Sequence, residues 1–197
     1  MDKQLIISIG REYGSGGHYI AEKLSEAFGL PLYDHNLLDE MFKGKNADIE
    51  KLKRYDEKPL FGLNRKVRGG NSAPEIGVAE AQFEFMQNLA KEGKSFVVVG
   101  RCSDSVLDEY DAMVAIFILA DYKDKVKRIM EVRDFDEKEA QKAIVRHDAN
   151  RKAYHNFFCK MKWGDSRLYD LSINSSFLGL DRTAEYIEKF IREKYEL

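Results

Sequence analysis

Short apolar runs alternate along the chain with segments whose apolar positions repeat every three or four residues. The runs lie at residues 5–9, 96–99, 114–119 and 171–173, and a shorter apolar pair lies at 32–33. Runs of this length, rich in β-branched residues and bounded by polar residues or glycine, predict β-strands. The uninterrupted runs at 96–99 and 114–119 are typical of strands buried on both faces of a parallel sheet.

Helical spacing separates these strands. It begins near residue 20 and recurs at about 73–92, at 122–133, from Asp136 and from Asp181. Gly29 stands where a left-handed cap ends the first helix, Ser72 and Asp136 begin capping boxes, and Asp181 is the predicted cap of the last helix. This alternation predicts an α/β fold with a largely parallel sheet.

The composition narrows the class of protein. Of 197 residues, 44% are hydrophobic, which is enough for the core of one domain spanning 1–197. A net charge of -2 argues against general electrostatic binding to nucleic acid or membranes, and no apolar run approaches the ~20 residues that cross a bilayer. The run at 5–9 is too short for a signal peptide, and two cysteines make neither a disulfide framework nor a zinc cluster. We therefore expect a cytoplasmic protein without nucleic-acid or membrane partners.

Candidate chemistry lies between the first strand and the first helix, in the sequence GREYGSGGHY from Gly10 to Tyr19. Backbone N–H groups in a glycine-rich turn can converge on an anion, and the dipole of the following helix favours negative charge. The residues predicted to bind phosphate are Gly14, Ser15, Gly16, Gly17, His18 and Tyr19. The alternative is a turn whose glycines only accommodate positive φ angles. A dinucleotide-binding GxGxxG fingerprint fails because Tyr19 stands where the third glycine is needed.

Together with this turn, four other stretches resemble the cytidylate kinase-like family of P-loop proteins. They read Leu32-Tyr33-Asp34, Val99-Gly100-Arg101, Trp163-Gly164-Asp165 and Tyr169-Asp170-Leu171-Ser172-Ile173-Asn174. The resemblance extends in order over nearly the full chain. It implies a three-layer α/β/α P-loop NTPase fold with a five-stranded parallel sheet, a helical acceptor-binding insertion at about 36–70 and a lid at about 141–167.

The resemblance also implies an acceptor site. Asp34 would line this site and Arg101 would contact the acceptor phosphate, because a guanidinium offers two N–H donors to two oxygens. In cytidylate kinase an aspartate follows this arginine, whereas here Cys102 follows it and Asp104 lies nearby. We assign Asp104 to substrate binding. A partly buried salt bridge is the alternative role for Arg101.

In the predicted lid, Asp148 and Arg151 match a lid aspartate and arginine of cytidylate kinase, and Arg146 matches another lid arginine. We assign Asp148 to substrate binding and both arginines to catalysis. Between 141 and 167 seven basic residues face two acidic ones, as expected of a lid that closes on polyphosphate; a solvated helix face is the alternative. His147 and His155 are expected to be surface or lid residues.

The glycine-rich turn departs from the cytidylate kinases at two positions. Gly17 replaces the Walker lysine, and Tyr19 replaces a threonine that binds magnesium. Phosphoryl transfer depends on positive charge at the phosphate oxygens, so Arg11, His18 or a lid arginine must supply that charge, and we place Arg11 with the catalytic residues.

The resemblance implies ATP and Mg2+ as cofactors and phosphoryl transfer to a small acceptor, with a nucleoside monophosphate such as CMP favoured. A non-catalytic nucleotide-binding or regulatory protein is the alternative, which Gly17 favours. We expect an aspartate or a substrate phosphate to carry the magnesium, and we expect no other metal site.

Overall fold

The computed structural model describes residues 3–43, 48–56 and 74–196. At its centre lies a sheet of five parallel strands in the order β2-β3-β1-β4-β5. The strands are β1 (Ile6–Arg11), β2 (Leu32–Tyr33), β3 (Phe96–Val99), β4 (Met113–Leu119) and β5 (Leu171–Asn174). The predicted five-stranded parallel sheet is therefore confirmed.

Helices cover both faces of this sheet. They are α1 (Gly17–Phe28), α2 (Leu37–Met41), α3 (Ile49–Lys53), α4 (Pro74–Lys91), α5 (Ser103–Val106), α6 (Tyr122–Arg133), α7 (Glu137–Phe158), α8 (Ser175–Leu178) and α9 (Leu180–Tyr195). A short 3-10 turn spans Ser166–Leu168. None of the described helices is long and apolar enough to cross a lipid bilayer.

The three layers follow from the alternation of side chains along β1. Ile7 and Ile9 face α1 and α9 in one buried cluster, whereas Ile6 packs with Met86 of α4 in a second cluster on the opposite face. Successive strand residues point to opposite faces, so a strand covered on both sides is apolar toward both layers, and the buried Ser8 hydroxyl is hydrogen-bonded with that of Ser103 at 2.7 Å. The predicted three-layer α/β/α fold is confirmed.

The position of β1 determines where a ligand can bind. β1 lies at the centre of the sheet, between β3 and β4. After β1 the chain forms β2 and β3 on one side of it, and then β4 and β5 on the other side. In open α/β sheets, ligands bind beyond the carboxyl ends of the strands at such a point. The glycine-rich turn follows β1 directly and lies there.

Most predicted helix boundaries are confirmed. Gly29 has φ 62° and caps α1, and Asp136 forms the capping box of α7, accepting from the Glu139 amide at 2.8 Å. The predicted cap at Asp181 is wrong. The helix begins at Leu180 after Gly179, because the positive φ of Gly179 (74°) turns the chain directly from α8 into α9. Asp181 lies in the first turn and accepts a hydrogen bond from the Tyr19 hydroxyl at 2.5 Å.

The predicted insertion and lid are described in part. Within 36–70 the structure describes α2 and α3, while residues 44–47 and 57–70 lie outside the described residues, as does the predicted cap Ser72. Within 141–167 most residues belong to α7, which is continuous from Glu137 to Phe158. Ala140 and Ile144 of this helix pack against α6, whereas Tyr154 packs against Ala79 of α4. A mobile lid stays a prediction.

Candidate active site

The glycine-rich turn is held in one conformation by its own hydrogen bonds. Gly14 and Gly16 have φ angles of 83° and 82°, a region that glycine enters without strain. A side chain at Gly16 would also collide with Leu180, because its Cβ would lie 2.3 Å from Leu180 Cδ2. Ser15 is buried, and its hydroxyl donates to the Glu12 carbonyl at 2.9 Å. The hydroxyl of Ser15 is therefore directed toward the turn's own backbone.

A cleft of about 580 Å³ opens in front of this turn, which is a usual size for a small-molecule site. Its lining contains five arginines and two carboxylates. The lining residues are Arg11, Glu12, Tyr13, Gly14, Gly16, Gly17, His18, Tyr19, Asp34, His35, Arg101, Arg128, Ile129, Val132, Arg133 and Arg151. The excess of guanidinium groups suits a ligand with several negative charges.

Arg101 is buried in an ion-pair network at one side of the cleft. Its Nη1 donates to Asp34 Oδ1 at 2.7 Å and to the Val99 carbonyl at 3.0 Å, and its Nη2 donates to Asp56 Oδ2 at 2.7 Å. The structure thus shows the buried salt bridge that was the alternative role predicted for Arg101. Arg101 also lines the cleft, so contact with an acceptor phosphate stays a prediction.

Asp34 joins two guanidinium groups and an imidazole at the mouth of the cleft. Its Oδ2 lies 2.6 Å from His18 Nδ1, and its Oδ1 lies 2.7 Å from Arg101 and 4.0 Å from Arg11. Burial raises the pKa of Asp34, but the hydrogen bond to His18 and the charges of Arg11 and Arg101 outweigh burial and hold this pKa well below its usual range. Asp34 is therefore ionised at neutral pH and fixes the position of both arginines.

Lys125 is a functional candidate that the sequence did not reveal. Its buried Nζ lies 2.8 Å from Asp148 Oδ2 and 3.1 Å from Glu12 Oε2. Asp148 Oδ1 also accepts from the Tyr13 amide at 2.6 Å. Asp148 therefore ties α7 to the backbone of the glycine-rich turn, with Lys125 of α6 as the counter-charge.

Arg128 holds the same turn from α6, because its guanidinium donates to the carbonyl of Gly14. In the sequence, Arg128 and Lys125 are visible only as part of a charged helix face. Lys125 directly precedes the buried Val126 on α6, and its two carboxylate partners come from distant parts of the chain.

The structure brings two of the three predicted catalytic arginines to the cleft. Arg11 is buried, and Arg151 donates to the Arg11 carbonyl at 3.4 Å with its guanidinium 5.6 Å from the centre of the Tyr13 ring. Arg146 is exposed beside His147 and lies outside the cleft lining.

Asp104 also lies outside the cleft lining. It is buried, and its Oδ2 lies 2.9 Å from His155 Nε2. Both residues line an enclosed niche of about 20 Å³ beside Arg101, which has room for about one water molecule. His155 lies in the predicted lid segment but not at the surface, and its pairing with Asp104 compensates for the burial of the imidazole.

The cleft offers a poor set of ligands for a magnesium ion held by the protein. Its carboxylates, Glu12 and Asp34, are paired with Lys125 and with Arg101 and His18. Among the described residues, His18, Asp34 and His35 could approach one cation, but magnesium prefers oxygen ligands and Arg11 and Arg101 would repel it. These residues do not fit a resident magnesium ion, so we derive no step through one.

The protonation of His18 should make the stability of the fold depend on pH. The hydrogen bond to Asp34 raises the pKa of His18, partial burial opposes it, and Glu22 at 3.3 Å raises the pKa further while Arg11 lowers it. A pKa raised on folding stabilises the protein fully below the unfolded value of about 6.5, and this contribution is lost as the pH rises above it. We expect the stability advantage of wild type over His18→Gln to be full below about pH 6.5 and to decline as the pH rises from there through the raised pKa of His18 in the folded state. Denaturant unfolding across this range checks it; a constant difference would contradict it.

Gly17 is required because Arg11 occupies the space beside it. A Cβ at Gly17 would lie 2.6 Å from Arg11 Cβ and 3.0 Å from Arg11 Cγ. We expect Gly17→Ala to lower the free energy of unfolding by about 1–3 kcal/mol, as overpacking does. Gly77→Ala is the matched control, since a Cβ on that helical glycine meets nothing within 4 Å and should change stability by about +0.5–1 kcal/mol. Equal melting temperatures for the two variants would show that the site tolerates a side chain.

The five-stranded parallel sheet with helices on both faces and the glycine-rich turn after β1 define a protein with the P-loop kinase fold. A model of the cytidylate kinase-like family matches residues 6–177, so the chain belongs to that family. The predicted resemblance is confirmed.

Individual proteins are similar over nearly the whole chain. A cytidylate kinase from Methanococcus vannielii is 28% identical over 193 residues, which cover 95% of this chain and 100% of that protein. The crystal structure of an uncharacterized protein from Eubacterium ventriosum has a TM-score of 0.77 at 39% identity and covers 95% of this chain and 98% of its own. Shikimate kinase from Bacteroides thetaiotaomicron shares the fold, with a TM-score of 0.57 at 13% identity over 98% of this chain and 99% of its own.

Proposed function

We propose that the protein transfers the γ-phosphoryl group of ATP to a small acceptor bound in the cleft, and that this acceptor is a nucleoside monophosphate such as CMP. The observation that carries the proposal is the set of arginines in front of the glycine-rich turn. Family membership supports phosphoryl transfer, and the relative from Methanococcus vannielii is named a cytidylate kinase.

The donor phosphates would bind at the N-terminus of α1. The first amides of a helix lack intrahelical acceptors, and the helix dipole favours an anion there. Gly14 and Gly16 allow the backbone to adopt the turn. Magnesium would enter bound to the phosphates of ATP, as part of the substrate.

Arg11 and Arg151 would supply the positive charge that the Walker lysine supplies elsewhere. Both line the cleft, and both are charged at any physiological pH. Arg11 also leaves no room for a lysine at position 17, because a Cβ at Gly17 would lie 2.6 Å from Arg11 Cβ and 3.0 Å from Arg11 Cγ. In this proposal Arg11, at the end of β1, supplies the positive charge in place of the missing lysine.

The acceptor would bind on the side of Arg101 and Asp34. Both guanidinium Nη atoms of Arg101 already donate to carboxylates, so an acceptor phosphate would compete with Asp56, the more exposed of the two. A monophosphate needs no catalytic base, since its second pKa of about 6 leaves a phosphate oxygen ionised. Asp104 pairs with His155 and lies outside the cleft lining, so its contact with the acceptor stays a prediction.

A non-catalytic nucleotide-binding protein is the second candidate, and Gly17 favours it. Cytoplasmic location and the absence of nucleic-acid partners belong to the proposal as well.

The test combines binding and turnover on the full chain. Thermal unfolding is measured with ATP, with and without Mg2+, and with each nucleoside monophosphate; a ligand at 100 times its Kd adds about 2.7 kcal/mol, or about 5–10 °C for a chain of this size. Phosphorus NMR then follows ATP with each acceptor. Transfer to a monophosphate supports the proposal, stabilisation by ATP without transfer to any acceptor supports the second candidate, and no stabilisation by any nucleotide overturns both.

A further inference from the structure

Two cysteines, a histidine and an aspartate meet beside Arg101. Cys102 lies in the turn after β3 and Asp104 in the short helix α5 that follows it, while His155 lies in the last turn of α7 and Cys159 caps that helix. Neither cysteine is in a disulfide. Both pack in one apolar cluster with Ala79 and Tyr154. Residues from two distant parts of the chain therefore place two thiols together.

The side chains interact in the order Asp104, His155, Cys159 and Cys102. Asp104 Oδ2 lies 2.9 Å from His155 Nε2, His155 is one helical turn before Cys159, and Cys159 packs in the same cluster as Cys102. The carboxylate orients the imidazole beside the sulfur. This is the arrangement that activates a cysteine nucleophile in general.

The charges in the cluster favour a thiolate at Cys159. The hydrogen bond from Cys102 lowers the pKa of Cys159, burial raises it, and the hydrogen bond and charge of His155 lower it further, to about 6. Burial disfavours the charged form of His155, but hydrogen bonds to Asp104 and Cys159 raise its pKa to about 10. The other ionisable groups that line the enclosed niche of about 20 Å³ include Asp104, Tyr169, Arg11, Arg101 and Arg151. Both shifts favour the imidazolium and the thiolate over the neutral pair.

We propose that Cys159 and Cys102 form a thiol modification site that a two-electron oxidant of the peroxide class converts to an intramolecular disulfide. The Cys159 thiolate attacks one peroxide oxygen, the O–O bond breaks, and the leaving oxygen takes a proton and departs as water. Cys102 then gives up its proton and attacks the sulfur of the Cys159 sulfenic acid. The S–S bond forms, the S–O bond breaks, and the oxygen leaves as a second water. Two thiols are oxidised and one hydrogen peroxide is reduced to two waters.

Exposure determines which sulfur reacts first. Cys159 is half-buried at the end of α7, whereas Cys102 is buried with 3% of its surface exposed. The oxidant therefore reaches Cys159, and Cys102 is positioned as the resolving thiol.

The disulfide would join the two elements that flank the cleft. Cys102 directly follows Arg101 in a turn where both residues have positive φ, 51° and 56°, and Cys159 ends the helix that carries Arg151. Formation of the disulfide does not depend on the proposed kinase function.

Intact mass under denaturing conditions tests the site directly. Fully reduced wild type is treated with hydrogen peroxide, and we expect the loss of two hydrogens, about 2 Da, with a protein that remains monomeric on a non-reducing gel. In Cys102→Ser we expect the reaction to stop at a sulfenic acid on Cys159, which a cyclic 1,3-diketone traps. In Cys159→Ser we expect Cys102 to remain a thiol. Added oxygen atoms without loss of hydrogen in wild type, or disulfide-linked dimers, would overturn the proposal.

A pH profile tests the role of His155 as a positioning residue. The rate of Cys159 alkylation by iodoacetamide is measured in Cys102→Ser and in the same protein with His155→Gln. We expect the His155→Gln midpoint to move toward that of an ordinary thiol, about 8.5. His147→Gln, on the same helix about two turns away, is the matched control and should leave the midpoint unchanged. An unchanged midpoint in His155→Gln would overturn the assigned arrangement.

Discussion

Arg151→Ala is expected to reduce the rate of phosphoryl transfer by about 10³-fold or more, the loss seen when an arginine finger is removed. The glycine-rich turn lacks a lysine, so under the proposed function a guanidinium would stabilise the charge that develops on the transferring group. Arg151 lies over the Tyr13 ring and contacts the Arg11 carbonyl, which places its charge at the turn. Single-turnover kinetics with saturating ATP and acceptor measure this loss separately from binding.

Two further variants make the result specific. Arg151→Lys should recover only a small part of the rate, because an ammonium cannot reproduce the planar fork of a guanidinium. Lys152→Ala is the matched control, since Lys152 is the next residue of α7 and is exposed. If Arg151→Ala and Arg11→Ala both transfer phosphate at nearly the wild-type rate, neither arginine replaces the Walker lysine.

The sheet could be predicted because burial on both faces leaves a direct record in the sequence. β3 and β4 are covered by helices on both sides, so every position along them is apolar and the runs at 96–99 and 114–119 stand out. The capping box at Asp136 was equally visible, since its two partners are three residues apart.

The ion pairs behind the cleft could not be predicted, because their partners are far apart in the chain. Lys125 pairs with Asp148 and with Glu12, which are 23 and 113 residues away. On its own helix Lys125 follows the pattern of a solvated charge, and only tertiary packing buries it. The burial of His155 could not be predicted either, because its partner Asp104 lies 51 residues earlier in the chain.

A sequence motif can place residues on one face of a helix without determining what each side chain binds, as Asp148 shows. The aspartate and arginine three residues apart do face the turn from one side of α7, as the lid motif implies. However, Asp148 reaches the Tyr13 amide and the Lys125 ammonium, whereas Arg151 reaches the cleft. Spacing along a helix predicts a shared face, but the groups opposite that face decide what each side chain binds.

Arg101→Ala is expected to destabilise the fold and to impair use of the acceptor more than that of ATP. The substitution leaves the buried Asp34 without its 2.7 Å partner, and breaking a buried pair from one side typically costs about 3–5 kcal/mol. For a chain of this size the melting temperature should fall by on the order of 10 °C. Steady-state kinetics with each substrate varied in turn should show a raised KM for the acceptor and a nearly unchanged KM for ATP.

Three variants separate the ion pair from the acceptor contact. Arg167→Ala is the matched control, because it removes an exposed arginine paired with Asp165 and should leave the melting temperature unchanged. Arg101→Ala combined with Asp34→Asn removes the unpaired charge and should recover part of the stability but none of the acceptor use. Arg101→Lys should fold better than Arg101→Ala, yet one ammonium cannot reproduce the fork that joins Asp34 and Asp56, so its acceptor KM should stay high. A matching loss of ATP affinity with unchanged acceptor dependence would instead place Arg101 on the donor side of the cleft.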